Sequence, residues 1–395
     1  MRYSFRFIYL LLLFMLFLAI NAPSKQRTNP FYVKVLLAKK KLQDIFCWTI
    51  ESEDGFLVSD PHKCSKLFSY ASKEIKIQTS NKNIYINGKK YLRNQIKIEP
   101  KTGHLFFNGK SYQGEFIIAL DRSTKQEGSY IVFLNKLELE DYVFAVLRSE
   151  SWPGWPLEVN KVFAIAIRSY VISKVIEAKK CTRLYHIKND NSHQTYHGHE
   201  FMKRNNNLLR KAVEETRGVF LAHNNEPIVA MFDSCCGSII PSQISGSINF
   251  DIAPYLARDY ACKYCNKCSL YSWEICYSLK DLQKLFTRAC PNIKQIRSIW
   301  VSKRDASGLV KEVTIRDGKR SWKITGDTLY GLLKEVKSFC FSIKKTGKQV
   351  VIKGKGYGHH IGLCQWGARQ MVRELFDYKQ ILKFYYPGTE FMRLI

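Results

Sequence analysis

Glu150 lies within the segment ELEDYVFAVLRSESWPGWPLE, residues 138–158, at the end of an apolar run and beside two indoles, Trp152 and Trp155. A carboxyl desolvated by such rings holds its proton to higher pH and can act as a general acid near neutrality. The guanidinium groups of Arg148 and Arg168 would act in the opposite direction. Indole faces beside a carboxyl also suit sugar rings. A second constellation, GYGHHIGLCQWGA at 356–368, sets His359 and His360 in a glycine-rich turn ahead of Cys364, Gln365 and Trp366. Such glycines can cradle a phosphate, but no Lys-Ser/Thr follows them and no βαβ unit with a ribose-binding acid surrounds them. Cys364 and a histidine could form a nucleophile pair, yet no third residue to orient them is evident. The turn could instead line a groove for another ligand.

Metal chemistry has two candidates. HQTYHGH, residues 193–199, offers His193, His197 and His199 but no acid that completes a zinc motif. CKYCNKC followed by Cys276 gives C-x2-C-x2-C-x7-C through Cys262, Cys265, Cys268 and Cys276. In an exported chain disulfides among these four are expected first, and structural zinc is the alternative. Arg168 sits among Ala164, Ile165, Val171 and Ile172, so its charge needs a carboxylate or carbonyl partners inside the protein.

The address comes from the N-terminus. A basic start and an unbroken apolar run from Ile8 to Ile20 suit a signal peptide with cleavage near Ala22. An uncleaved anchor through residues 7–20 is the alternative, although the run is short for a membrane span. Export to the periplasm or cell envelope is therefore expected. The 395 residues carry a net charge of +28 and 12 cysteines. That charge is spread along the chain without a nucleic-acid module, which points to envelope polyanions rather than nucleic acid.

The positioning elements follow from periodicity. Residues 30–136 read as short antiparallel strands, with tight hairpins at Asn87-Gly88 and Asn108-Gly109. Glu140 and Asp141 suit the start of a helix reaching Glu150, and Pro153, Gly154 and Pro156 break it. The next helix is apolar all round, with Val159, Val162, Phe163, Ala166 and Tyr170 on one side and Ala164, Ile165, Val171, Ile172 and Val175 on the other, which marks it as central. Further on, LLRKAVEETRGVFL reads as helix, EPIVAMFDSCCGS as a strand entering a turn, and DTLYGLLKEV as a helix capped by Asp327. KQVVIKGKGYGHH reads as a strand that leads into a helix from Gln365 to Phe376. The fold class is α+β, an antiparallel β-rich N-terminal half packed with a mixed helix and strand catalytic half at 137–395.

Together these motifs resemble the SpoIID/LytB family. LELEDYVFAVLRSE is similar to its segment leading to the essential glutamate, here Glu150, and FAIAIRSY to its Ala-rich helix ending at Arg168, Ser169 and Tyr170. HQTYHG resembles its Gln-x-Tyr-x-Gly element at Gln194, Tyr196 and Gly198, and FDSCCGS its Ser-x-x-Gly-Gly turn beginning at Ser234. GYGHHIGLCQWGA resembles its closing glycine-rich signature, and ILKFYYPGTEF the family's end. Ser238 and His360 stand where glycines are usual, Cys364 where serine is, and Tyr330 where arginine is common.

The resemblance implies a lytic transglycosylase that cuts peptide-stripped peptidoglycan strands between N-acetylmuramic acid and N-acetylglucosamine, with Glu150 as acid and base and no cofactor. It further implies that Arg168, Tyr170, Gln194, Tyr196, Ser234, His359 and Gln365 bind substrate. A wall-binding enhancer of a peptidoglycan amidase is the non-catalytic alternative.

Overall fold

A strand that is apolar on both faces needs cover on both. Ile131, Val132, Phe133 and Leu134 are almost wholly buried, so strand Tyr130–Glu138 is central, flanked antiparallel by Tyr32–Lys41 and Glu115–Asp121. The computed structural model describes residues 30–60, 66–80, 83–91, 94–121, 129–190, 193–199, 207–246, 248–318 and 320–394. The apolar leader expected at 1–22 lies outside the described residues. No helix among the described residues is long and apolar enough to cross a membrane.

The central strand belongs to a seven-stranded sheet, running in spatial order through 187–188, 32–41, 130–138, 115–121, 95–100, 56–59 and 66–70. A six-stranded sheet lies in the same N-terminal region, and its hairpins turn as expected. Asn87 and Gly88 have φ of 49° and 78°, and Asn108 and Gly109 51° and 69°, the left-handed pair that a two-residue hairpin requires.

The central strand runs straight into helix α1, Leu139–Glu150, which has Glu140 and Asp141 in its first turn and no side-chain cap. After the proline–glycine link comes α2, Leu157–Lys180, buried on all sides and packed against α1 and against α3, Asn207–Glu215. Segment 272–355 builds two three-stranded sheets and a separate apolar cluster that includes Val313, Ile315 and Ile352. Its helices are α4, Leu279–Phe286, and α5, Gly326–Leu332.

Thr325, not Asp327, caps α5. Its hydroxyl accepts the Thr328 N–H at 3.1 Å because the preceding strand ends at Thr325, and Asp327 falls in the first turn. Helix α6 spans Gln365–Arg373 and stops short of Phe376, since Leu375 takes a φ of 66°. Helix α7, Tyr378–Tyr385, starts on a capping box at Asp377 and Gln380. The architecture is α+β. One short parallel pairing joins the site's two halves, with Phe232 opposite Leu363 and Asp233 opposite Cys364.

Candidate functional site

Glu150 is the last residue of α1, and its position is fixed from both sides. The Ser151 N–H closes the helix on the Leu147 carbonyl at 2.8 Å, while its hydroxyl donates to Asn160 Oδ1 at 2.6 Å. Asn160 in turn donates to the Trp155 carbonyl at 3.1 Å, so the link after Glu150 is tied to α2. The Glu150 carboxyl accepts the Thr195 N–H at 3.2 Å and hydrogen bonds from the Thr195 and Gln365 side chains. Burial raises its pKa above the ordinary glutamate value, and these hydrogen bonds pull it back in part. The direction matches the sequence expectation, but the opposing groups are Thr195 and Gln365 rather than Arg148 and Arg168.

A pH prediction follows. If the protonated form of Glu150 is the active one, the rate falls as pH rises through its raised pKa. Thr195→Val deletes a hydrogen bond to the carboxylate, so the pKa rises further and the alkaline limb moves to higher pH. A pH–rate profile of the variant checks this; a limb that stays fixed or moves to lower pH contradicts it.

Segment 193–199 explains why Thr195 points at Glu150. Its residues alternate between buried and half-buried, as an extended chain on a surface does. Gln194 accepts the Tyr142 hydroxyl at 3.0 Å, and Tyr196 donates to Asn135 Oδ1 and stacks on Tyr142 with centroids 5.5 Å apart. Both were expected to bind substrate. The structure makes them internal anchors, and the residue between them faces the carboxyl. Gly198 is required because a Cβ there would lie 2.3 Å from the Ser111 carbonyl oxygen. Sequence reasoning missed Thr195, although the period-two pattern of HQTYHGH carried the signal.

The other expected site residues divide. Tyr170, its pKa raised to about 12 by burial, lies with its hydroxyl 3.5 Å from His193 Nδ1. His197 lies against Lys110 and His199 stacks on His104, so the three histidines face different neighbours. Arg168 is wholly buried and paired, as its apolar neighbours required, but its partner is Glu140. Nε and Nη2 donate to the two Glu140 oxygens at 3.0 and 2.6 Å, and Nη1 donates to the Val219 carbonyl at 2.8 Å. Glu140 and Glu150 sit at opposite ends of α1, ~15 Å apart at 1.5 Å per residue. Arg168 therefore braces the helices and does not enter the site.

Both ring nitrogens of His359 are committed to backbone, Nε2 to the Phe232 carbonyl at 3.0 Å and Nδ1 to the Ile361 N–H at 3.1 Å. Burial lowers its pKa to about 4, and its two nitrogens shape the loop while the half-buried ring borders a cleft of about 590 Å³. His360 tolerates the glycine-like φ of 67° because its N–H binds Asp233 Oδ2 at 2.7 Å and Nδ1 meets the Cys236 carbonyl at 2.9 Å. Half-buried Ser234 accepts the Trp366 N–H on its carbonyl at 3.1 Å, which locks the first turn of α6.

Gln365 opens α6 and reaches Glu150, and Trp366 joins Trp152 and Trp155 in one cluster. Trp152 and Trp155 lie 17° from parallel with centroids 6.5 Å apart, and Trp366 stands edge-on to both. Trp152 is 46% exposed, and the Arg369 guanidinium lies 4.9 Å from the Trp366 ring. An acid thus adjoins an exposed aromatic face with a cation nearby. A cleft of about 670 Å³ lies on segment 272–355, one of about 590 Å³ lies between that segment and Met231, Ser245, His359 and Ile361, and Glu150 lines neither. The acid lies beside the exposed Trp152 rather than in either cleft.

The cysteines are not arranged as the spacing suggested. Cys262 and Cys265 come together with Cys236 and Cys364, all four buried. Cys268 instead lies 3.6 Å from Cys235, and Cys276 is exposed on strand Ser272–Ser278. Alternation on that strand turns Cys276 outward. No cysteine among the described residues is in a disulfide. Cys364, wholly buried among sulfurs, is no exposed nucleophile.

Comparison with known proteins gives concordant matches. The family described as stage II sporulation protein, SpoIID, matches residues 127–223, and a domain of unknown function matches 256–362. An uncharacterised protein of Brachyspira hyodysenteriae is 32% identical over 262 residues, 66% of this chain and 68% of its own. The stage II sporulation protein D of Bacillus subtilis is 26% identical, with 65% of this chain and 75% of that protein covered. The amidase enhancer of Bacillus subtilis is also 26% identical, over 62% of this chain and 39% of that protein.

Proposed function

The chain belongs to the SpoIID family, and from that membership we propose that it is a lytic transglycosylase of the bacterial cell wall, with Glu150 as acid and base. The observation that carries the reading is the Glu150 carboxyl itself, half-buried with a raised pKa beside the exposed face of Trp152. Burial raises it and Thr195 and Gln365 lower it, with no carboxylate among the described residues contributing to the shift. Hydrolysis by paired acids needs two carboxylates, whereas transglycosylation needs one.

The Glu150 proton passes to the glycosidic oxygen as the bond from muramic C1 breaks. The carboxylate so formed then accepts the proton of the muramic C6 hydroxyl while O6 closes on C1. The products are a free N-acetylglucosamine hydroxyl and a 1,6-anhydro ring, the carboxyl regains its proton, and no water is consumed. Thr195 and Gln365 orient the carboxyl and stabilise its ionised form between the two transfers. Incubation with peptide-stripped glycan, followed by mass analysis, should yield anhydro-ended sugars. The match to an amidase enhancer favours a second reading, in which the same face holds the wall without cutting it; binding without anhydro products would support that reading instead.

The charge gives a separate expectation. Stripping stem peptides frees the lactyl carboxylates and makes the strand a polyanion, which a chain of net charge +28 attracts. Stripped strands should therefore bind more tightly than peptide-bearing ones, and added salt should narrow the difference. Equal affinities that ignore salt would contradict the role given to the charge.

A further inference from the structure

We propose that Cys236, Cys262, Cys265 and Cys364 bind one zinc ion in a tetrahedral all-thiolate site. Their four sulfur atoms lie within 4.8 Å of one another, and Cys236 Sγ is 3.7 Å from Cys265 Sγ. Zinc–sulfur bonds of ~2.3 Å in a tetrahedron place sulfurs ~3.8 Å apart, so a small contraction completes the site. Cys262 and Cys265 have the C-x2-C spacing that lets one turn supply two ligands. Soft thiolates in this number select zinc over the harder divalent cations.

The surroundings suit ligated thiolates better than thiols. Cys364 Sγ accepts two backbone N–H bonds, from Cys236 and Gly367, each at 3.3 Å. The Tyr385 hydroxyl lies 3.2 Å from Cys262 Sγ. A neutral thiol is a weak acceptor, whereas metal-bound sulfur is commonly held by donors of this kind. Gly367 keeps the space clear, since a Cβ there would lie 2.9 Å from Cys262 Sγ and 3.3 Å from Cys364 Sγ. Nearby, Arg258 is 1% exposed with Nε and Nη2 unpartnered, its guanidinium 5.6 Å from the Tyr385 ring. A zinc ion with four thiolates carries a net charge of −2, which this buried cation would offset.

The ion would join three separate stretches: the turn after Asp233, the turn at 262–265 and the N-cap of α6. Cys364 is that N-cap and Gln365 follows it directly, so the metal would hold the α6 start that presents Gln365 to Glu150. This also accounts for cysteine at a signature position where serine is usual.

The test is metal analysis of the full chain isolated without reductant. One zinc per chain is expected. Cys364→Ser and Cys262→Ser should each lose it, whereas Cys276→Ser should retain it. Should the serine variants fail to fold, cobalt exchange into the wild-type chain still decides. Tetrahedral d–d absorption with a thiolate-to-cobalt charge-transfer band supports the site. Absence of metal, iron in place of zinc, or thiols of these four cysteines that resist alkylation until reduced would each overturn it.

Discussion

Glu150→Gln lowers the yield of anhydro-ended sugars from peptide-stripped glycan by at least ~100-fold, the usual worth of a positioned acid–base group. Glutamine keeps the length of the side chain and an oxygen to accept the Thr195 N–H, which lies 3.2 Å from Glu150 Oε1. What it lacks is the proton. Strand binding should therefore survive while the chemical step fails. The fold should survive too, and the linkage gives the direction. A carboxyl whose folded pKa is raised favours the folded state below its unfolded pKa, and that advantage is lost as pH rises through the folded pKa. At neutral pH the ionised form in its desolvated place costs stability, so the amide should be as stable as wild type or slightly more so. Thermal unfolding and product analysis on the same preparation separate the two effects. Near wild-type cleavage by the purified variant would remove Glu150 from the mechanism.

The elements that position this acid were legible because they rest on local rules. Alternation and Asn-Gly pairs gave the hairpins, and the all-round apolar surface of 157–180 gave the central helix. Glu150 was legible because its apolar run, indoles and helix end are contiguous in sequence. What failed needed distance. Arg168 demanded a buried partner, but nothing local distinguished Glu140 from Glu150 at the two ends of one helix. The sulfur cluster draws Cys236 and Cys364 from far outside the C-x2-C turn, while Cys276, near in sequence, is carried outward by strand alternation. His359 looked free to donate because its acceptor and donor, Phe232 O and Ile361 N, are backbone atoms that no motif displays. Residue type showed that Arg168 needed a partner and Glu150 a desolvated place, but the partners themselves, Glu140 for one and Thr195 and Gln365 for the other, come from the fold.

Arg168→Ala should destabilise the fold by about 3–5 kcal/mol, the range for breaking one half of a buried ion pair. Four acceptors meet at this guanidinium: both Glu140 oxygens, the Val219 carbonyl at the start of the strand after α3, and, at 3.5 Å, the Ala164 carbonyl of its own helix. Glu140 Oε1 also takes the Gly218 N–H at 3.1 Å, so the pair ties α1, α2 and that turn together. The alanine variant leaves a carboxylate only 12% exposed without its cation and opens a cavity in the most buried helix. Arg168→Lys keeps the charge but cannot span both oxygens and the carbonyl at once, so its loss should be smaller yet clear. Replacing Arg168 and Glu140 together by methionine should recover part of the loss, because no ion is stranded, while the Val219 carbonyl and Gly218 N–H still lose partners. Chemical denaturation of the single and double variants measures this order. Activity per folded molecule supplies the discriminating readout. Glu150 lies at the far end of α1, so the rate and pH profile of folded Arg168→Ala should match wild type. A variant that stayed fully stable but lost its chemical step would return the guanidinium to the site and give Glu140 a different purpose.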